Sequence, residues 1–111
     1  MGLFDIFKGG ASADEIAHDD LVTALETNAC VLVDVREPNE FQSGRVPGSQ
    51  NMPLSRFDAG RLPNDRTVVL ICRSGARSAG ALARARASGR NDVRHYRGGV
   101  IGWTREGGEL V

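Results

Sequence analysis

The chain is poor in several residue types. Its 111 residues include two cysteines, two histidines, one tryptophan and one tyrosine, and its formal net charge is zero. Each scarcity excludes something. Cys30 and Cys72 lack the spacing of a disulfide framework or a zinc site. Sparse aromatics and the absence of a dense basic cluster leave no platform for nucleic acid. No apolar run is long enough to span a bilayer; the longest near the start, broken by Asp5, covers only Leu3 to Phe7. That stretch also lacks the basic flank and cleavage site of a secretory signal, and Ile6 stands where the myristoylation pattern needs serine or threonine. No repeat or low-complexity segment is visible. The length suits one domain with a single core.

What is present centres on Thr67 to Gly89. Thr67-Val68-Val69-Leu70-Ile71 is a continuous apolar run with β-branched residues, the pattern of a strand buried on both faces of a parallel sheet. Ala76 to Ser88 is rich in alanine and other helix formers, and Gly89 stands where a helix stop is expected. Between them lies Cys72-Arg73-Ser74-Gly75-Ala76-Arg77-Ser78. This places Cys72 at the carboxyl edge of the sheet, where open α/β folds bind ligands, on a turn that feeds a helix. The first N–H groups of a helix lack intrahelical partners and point toward that turn. Gly75 allows them to converge into an anion nest. A helix N-terminus stabilises a nearby anion by about 0.3–1 kcal/mol, and up to ~2 kcal/mol when partly buried. With Arg73 and Arg77 it is expected to lower the thiol pKa, against desolvation. The plainer reading is a buried structural cysteine, but such a cysteine does not need two arginines, a glycine and two serines around it.

Charge is unevenly spread. Residues 1–71 carry 6 basic and 11 acidic groups, and residues 72–111 carry 8 basic and 3 acidic. A positive field over the Cys72 loop is therefore expected to draw in small anions. Arg84, Arg86, Arg90 and Arg105 read as solvated charges.

The rest of the chain supplies supporting elements. Residues 1–12 form an apolar arm and hinge, expected to pack on the domain that starts at Ala13, with self-association through residues 1–10 as the sharper alternative. Ala13 to Ala17 is a short candidate strand. A helix with acids in its first turn follows, ending at Asn28, with His18 as a cap or surface residue. Val31 to Val35 is a second buried strand containing Asp34, an acid that needs a partner such as Arg36. Pro38 opens a short helix, and Arg36 and Glu40 are a candidate pair. Asp34, Arg36 and Glu40 together read as structural support. A short strand is expected near Ser49 to Met52, and one helical turn within Leu54 to Gly60. The last strand is Val93 to Tyr96, with His95 facing solvent or the sheet surface. Gly98-Gly99 forms a tight turn, and Trp103 on the following helix is a core anchor. If the strands are parallel, Cys30 and Cys72 lie at opposite ends of the sheet, roughly 16 Å apart at ~3.3 Å per residue. That is too far for a disulfide, so Cys30 is expected as a small core or edge residue and Cys72 as a free thiol, in keeping with a reducing, cytoplasmic compartment.

Four motifs together resemble the single-domain rhodaneses, the thiosulfate sulfurtransferase family. They are Asp34-Val35-Arg36-Glu37 with Glu40-Phe41; Gly44-Arg45-Val46-Pro47-Gly48-Ser49 with Asn51-Met52-Pro53; the Cys72 to Ser78 loop; and Gly98-Gly99 with Trp103. The resemblance covers about residues 13–108. It implies an α/β fold with a five-stranded parallel sheet and helices on both faces. It also implies that Cys72 is the nucleophile and carries a persulfide, and that residues Arg73, Ser74, Gly75, Ala76, Arg77 and Ser78 bind the substrate, Arg77 by its side chain. Arg45 and Ser49 depart from the histidine and alanine common in the second motif, which changes the charge at the rim of the pocket.

The implied chemistry is covalent catalysis in two half-reactions. Cys72 takes sulfane sulfur from a small anionic donor such as thiosulfate, or from a persulfide, and passes it to cyanide, a thiol or a protein acceptor. No cofactor, metal or general base is called for, and neither nucleic acid nor a membrane span enters as a partner. Two other classes stand beside this one: a phosphatase or arsenate reductase, which share the fold, and a module that carries a persulfide to a dedicated partner. Only Arg73 to Ala76 separate Cys72 from Arg77, one residue fewer than in cysteine phosphatases. That loop is too tight for three equatorial phosphoryl oxygens.

Overall fold

The structure is a computed structural model and describes residues 14–111. The apolar arm falls outside the described residues. Four parallel strands, β1 (Cys30–Asp34), β2 (Gln50–Asn51), β3 (Thr67–Ile71) and β4 (Val93–His95), form one sheet in the order β2-β1-β3-β4. β1 and β3 run side by side over five residues, from Cys30 opposite Thr67 to Asp34 opposite Ile71. Parallel strands require crossovers, and helices supply them. Helix α1 (His18–Glu26) precedes β1, α2 (Pro38–Ser43) joins β1 to β2, two short 3₁₀ turns, Leu54–Arg56 and Ala59–Arg61, lie between β2 and β3, α3 (Ala76–Ala87) joins β3 to β4, and α4 (Gly99–Arg105) follows β4.

The apolar runs are continuous because the central strands have two faces to bury. Val31, Val33, Val68 and Leu70 pack toward Ala81, Leu82 and Ala85 of α3. Cys30, Leu32, Val69 and Ile71 pack on the other side with Leu21 and Ala24 of α1 and with Val100 and Trp103 of α4. Trp103 is buried, as a core anchor should be, and its indole N–H donates to the Glu109 carbonyl at 2.9 Å. Asn28 ends the first helix with a left-handed backbone, φ 58°.

Among the described residues the expected fifth strand is not formed. In its place Glu15 makes a single parallel bridge to His95. Among the described residues, Ile16 N–H donates to the His95 carbonyl at 3.2 Å and His95 N–H to the Asp14 carbonyl at 2.9 Å. The helix α1 begins at His18 and takes the chain off the sheet edge before a ladder can develop. Among the described residues, no helix is long and apolar enough to cross a membrane.

Candidate active site

The carboxyl ends of β1 and β3 stand level, so the residues that follow them meet. Cys72 leaves β3 one residue after Ile71, and its loop turns at once into α3. Gly75 is the N-cap of α3, with φ 107°. A side chain there would be strained in its backbone and would run into the Arg97 carbonyl. This conformation brings the Gly75 N–H to 3.0 Å from Cys72 Sγ. The loop is closed from behind by the double glycine. Val100 N–H donates to the Cys72 carbonyl at 2.8 Å and Ile101 N–H to the Arg73 carbonyl at 3.1 Å. The approach is so close that a Cβ on Gly99, φ 67°, would overlap Arg73.

Cys72 is buried although it follows the strand's end; it is 1% exposed. Its side chain joins the core cluster on the α3 side, because Cys72 keeps the alternation of Val68 and Leu70 beyond the end of the strand. Burial pushes the thiol up, but hydrogen bonds from the Ser78 side chain and from the backbone of Ser78, Gly75 and Ser74 outweigh it. The thiol ends below its ordinary value. Cys30 has no such donors, and burial pushes it up to about 11 against the weak pull of Arg66. Both cysteines are free.

The remaining site residues fall into two groups. Arg73, Ser74 and Ala76 are exposed on the loop, and Ser78 is buried beneath it. Arg77, expected as an anion-binding side chain, is paired with Glu40. Its guanidinium grips Glu40 in a two-pronged pair at 2.7 and 3.0 Å. That hydrogen bond is the main reason the Glu40 carboxyl falls to about 2. The candidate Arg36–Glu40 pair is therefore not what forms: Arg36 turns back on Asp34, donating through Nε at 3.0 Å and Nη2 at 2.8 Å. Asp34 is wholly buried, and Arg36 nearly so. Arg36 also donates to the Gly44 carbonyl at 2.7 Å, and Asn51 bonds the carbonyls of Asp34 and Arg36 at 2.9 Å each. The first two motifs are thereby laced into one platform, and Glu40 ties that platform to α3. Arg45 lies over the Phe41 ring, 4.9 Å from its centre.

One neighbour of the site contradicts the sequence expectation. His95 is buried, and its Nδ1 lies 2.9 Å from Ser78 Oγ. The signal was available, since Val93 and His95 are two apart and share a face, and Val93 is a core residue. Leu70 pairs with His95 across the sheet, so that face is also the one Cys72 uses. His18 is likewise more than a cap: its Nδ1 meets the Tyr96 hydroxyl at 2.8 Å. Among the described residues, no cluster of histidine, cysteine or acids could hold a metal ion.

Residues 17–106 match the model of the rhodanese-like domain. A sulfurtransferase of Allochromatium vinosum is 38% identical over 101 residues, covering 88% of this chain and 94% of that protein. A probable adenylyltransferase/sulfurtransferase, MoeZ, of Mycobacterium tuberculosis is 40% identical over 79 residues, 68% of this chain; the chain spans only 20% of that protein's length. Among solved structures, a rhodanese-related protein of Thermoplasma volcanium superposes with a TM-score of 0.78 at 33% identity, covering 88% of this chain and 97% of that one.

Proposed function

Because the chain belongs to the rhodanese-like domain family, we propose that it moves sulfane sulfur through a persulfide on Cys72. The observation that carries this reading is the setting of Cys72 Sγ, with the Gly75 N–H at 3.0 Å and Ser78 Oγ at 3.6 Å; hydrogen bonding there holds the buried thiol below its ordinary value, whereas burial raises Cys30 to about 11. Only a thiolate is a competent nucleophile. In the first half-reaction the Cys72 thiolate attacks the outer sulfur of thiosulfate or of a persulfide donor. A new S–S bond forms, the donor's S–S bond breaks, and sulfite or a thiolate leaves with the electron pair. In the second, cyanide, a thiol or a protein acceptor takes the outer sulfur, and Cys72 departs as thiolate.

The loop suits this chemistry. The Gly75 N–H at 3.0 Å and the other donors at the N-terminus of α3 can hold one added sulfur. Arg73 is exposed on the loop and is the cation we assign to meeting an incoming anion. Arg77, held by Glu40, contributes charge at longer range, and Asp34, Arg36 and Glu40 act as support. A free thiol suits work in a reducing compartment such as the cytoplasm.

The test is direct. Incubation with thiosulfate should add the mass of one sulfur atom to the intact protein, and cyanide should remove it with release of thiocyanate. Cys72→Ser should abolish both. Hydrolysis of aryl phosphates that depends on Cys72, without uptake of sulfur from thiosulfate or a persulfide, would overturn the reading in favour of a phosphatase.

A further inference from the structure

Ser78 Oγ has one proton and three neighbours. His95 Nδ1 lies at 2.9 Å, the Gly75 carbonyl at 3.1 Å and Cys72 Sγ at 3.6 Å. The hydroxyl cannot donate to all of them, so what His95 does with its Nδ1 decides what Cys72 receives. We propose that His95 is a positioning residue of the sulfur site, which accepts the Cys72 proton by way of Ser78 and so turns the Ser78 hydroxyl toward the thiolate.

The proton count closes within three side chains. In the neutral arrangement the Cys72 S–H donates to Ser78 Oγ, and the Ser78 O–H donates to His95 Nδ1. On ionisation the S–H bond breaks and Ser78 Oγ takes that proton while passing its own to Nδ1. The products are a thiolate that accepts from the Ser78 O–H and the Gly75 N–H, and an imidazolium whose Nδ1–H donates to Ser78 Oγ. No electrons are exchanged and no other reactant is needed. When an acceptor removes the outer sulfur, Cys72 leaves as a thiolate already faced by the same O–H.

The surroundings of His95 fit such a role. Ser78 lies on its α3 side, and β3, with Leu70 opposite, brings no ionisable residue. His95 also lines a cleft between α3 and the segment before α1, with Asp14, Glu15 and, from α3, Ala79 and Arg86. Burial holds the imidazole below its ordinary value, Glu15 and Asp14 pull it up, and Arg97 pushes it down. Two carboxylates, Glu15 and the Arg86-paired Asp14, stand near to support the cation once it forms. The two groups titrate as a coupled pair.

This rests on the reading above only in naming Cys72 as the reacting sulfur, and its test uses no sulfur donor. In a Cys30→Ser background, the rate of Cys72 alkylation by iodoacetamide is followed against pH. His95→Leu and Ser78→Ala should each raise the apparent Cys72 pKa by about one unit, a ~10-fold loss of rate at neutral pH, and the double variant should lose no more than either. His95→Asn can donate to Ser78 but cannot take up a proton, so it should recover only part of the loss. In the protein with His95 intact, NMR of its imidazole should show its pKa falling when Cys72 is alkylated, because the thiolate partner is gone. A folded His95→Leu variant with the parent's pH profile would overturn the proposal, as would an imidazole titration indifferent to alkylation, a measurement that does not depend on any variant folding. If the coupling appears but sulfur uptake does not, the transfer reading fails alone; sulfur uptake without the coupling leaves that reading standing and sinks this one.

Discussion

Two cysteines in one small core behave differently because of what points at each sulfur. Cys30 sits at the amino end of β1 with burial acting on it almost unopposed, and Cys72 sits at the mouth of α3 among donors. Near neutral pH, iodoacetamide should therefore label Cys72 and spare Cys30, and Cys30→Ser should leave sulfur transfer unchanged; peptide mapping and the thiocyanate assay check both. The arginines divide in the same way. Arg77 is committed to Glu40 and Arg73 is not. Arg73→Ala should raise KM for thiosulfate with little change in kcat, and Arg77→Ala should do so less. Glu40→Gln should loosen Arg77 and lower KM. Steady-state kinetics at low salt is the measurement, because exposed charges are screened beyond about 10 Å at 0.1 M. Equal KM values for all four proteins would show that the anion is steered by neither side chain.

At the scale of elements, the site is a joint between the N-terminal ends of two helices. α3 supplies donors to the sulfur, and α4 supplies the N–H groups that pin the loop's own carbonyls. The double glycine exists for this contact, since Gly99 both takes a left-handed backbone and lies against Arg73. Gly99→Ala should cost more than about 1 kcal/mol of stability, because alanine at positive φ is strained and the loop must retreat. It should also lower the rate of Cys72 alkylation, since retreat moves the donors away from the sulfur. Urea melts and alkylation kinetics report the two effects separately. The short strands β2 and β4 flank the strong central pair of β1 and β3. The chemistry sits over that pair, where the backbone is best held.

For the whole molecule, acid should act in two windows. His95 is held below 6.5 in the folded protein, so the unfolded chain takes up a proton that the native one refuses. Stability should fall as the pH drops below about 6.5, with a slope of at most ~1.4 kcal/mol per pH unit for one proton. Glu40 is lowered from 4.5 to about 2. Its contribution is complete above 4.5 and is lost as the pH falls through that range toward 2. Urea midpoints between pH 8 and pH 3 should show both declines. His95→Asn should remove the first and keep the second; a first decline that survives His95→Asn would assign it to another group.

The sequence by itself determined the strand, loop and helix that carry Cys72. Each is written in local pattern: an apolar β-branched run, a glycine where the backbone must turn left-handed, an alanine-rich segment with a glycine stop. It also determined that Asp34 needs a partner and that Trp103 anchors the core, since burial of each follows from neighbours a few residues away. Tertiary structure alone decided which partner Arg77 takes, which face His95 presents, how deeply Cys72 is buried and where the fifth strand gives out. These depend on pairings across the fold. Glu40 and Arg77 are 37 residues apart and Ser78 and His95 are 17 apart. No local periodicity encodes such contacts. They arise when parallel register sets the ends of β1, β3 and β4 side by side, and the buried groups there must then satisfy one another because water is absent.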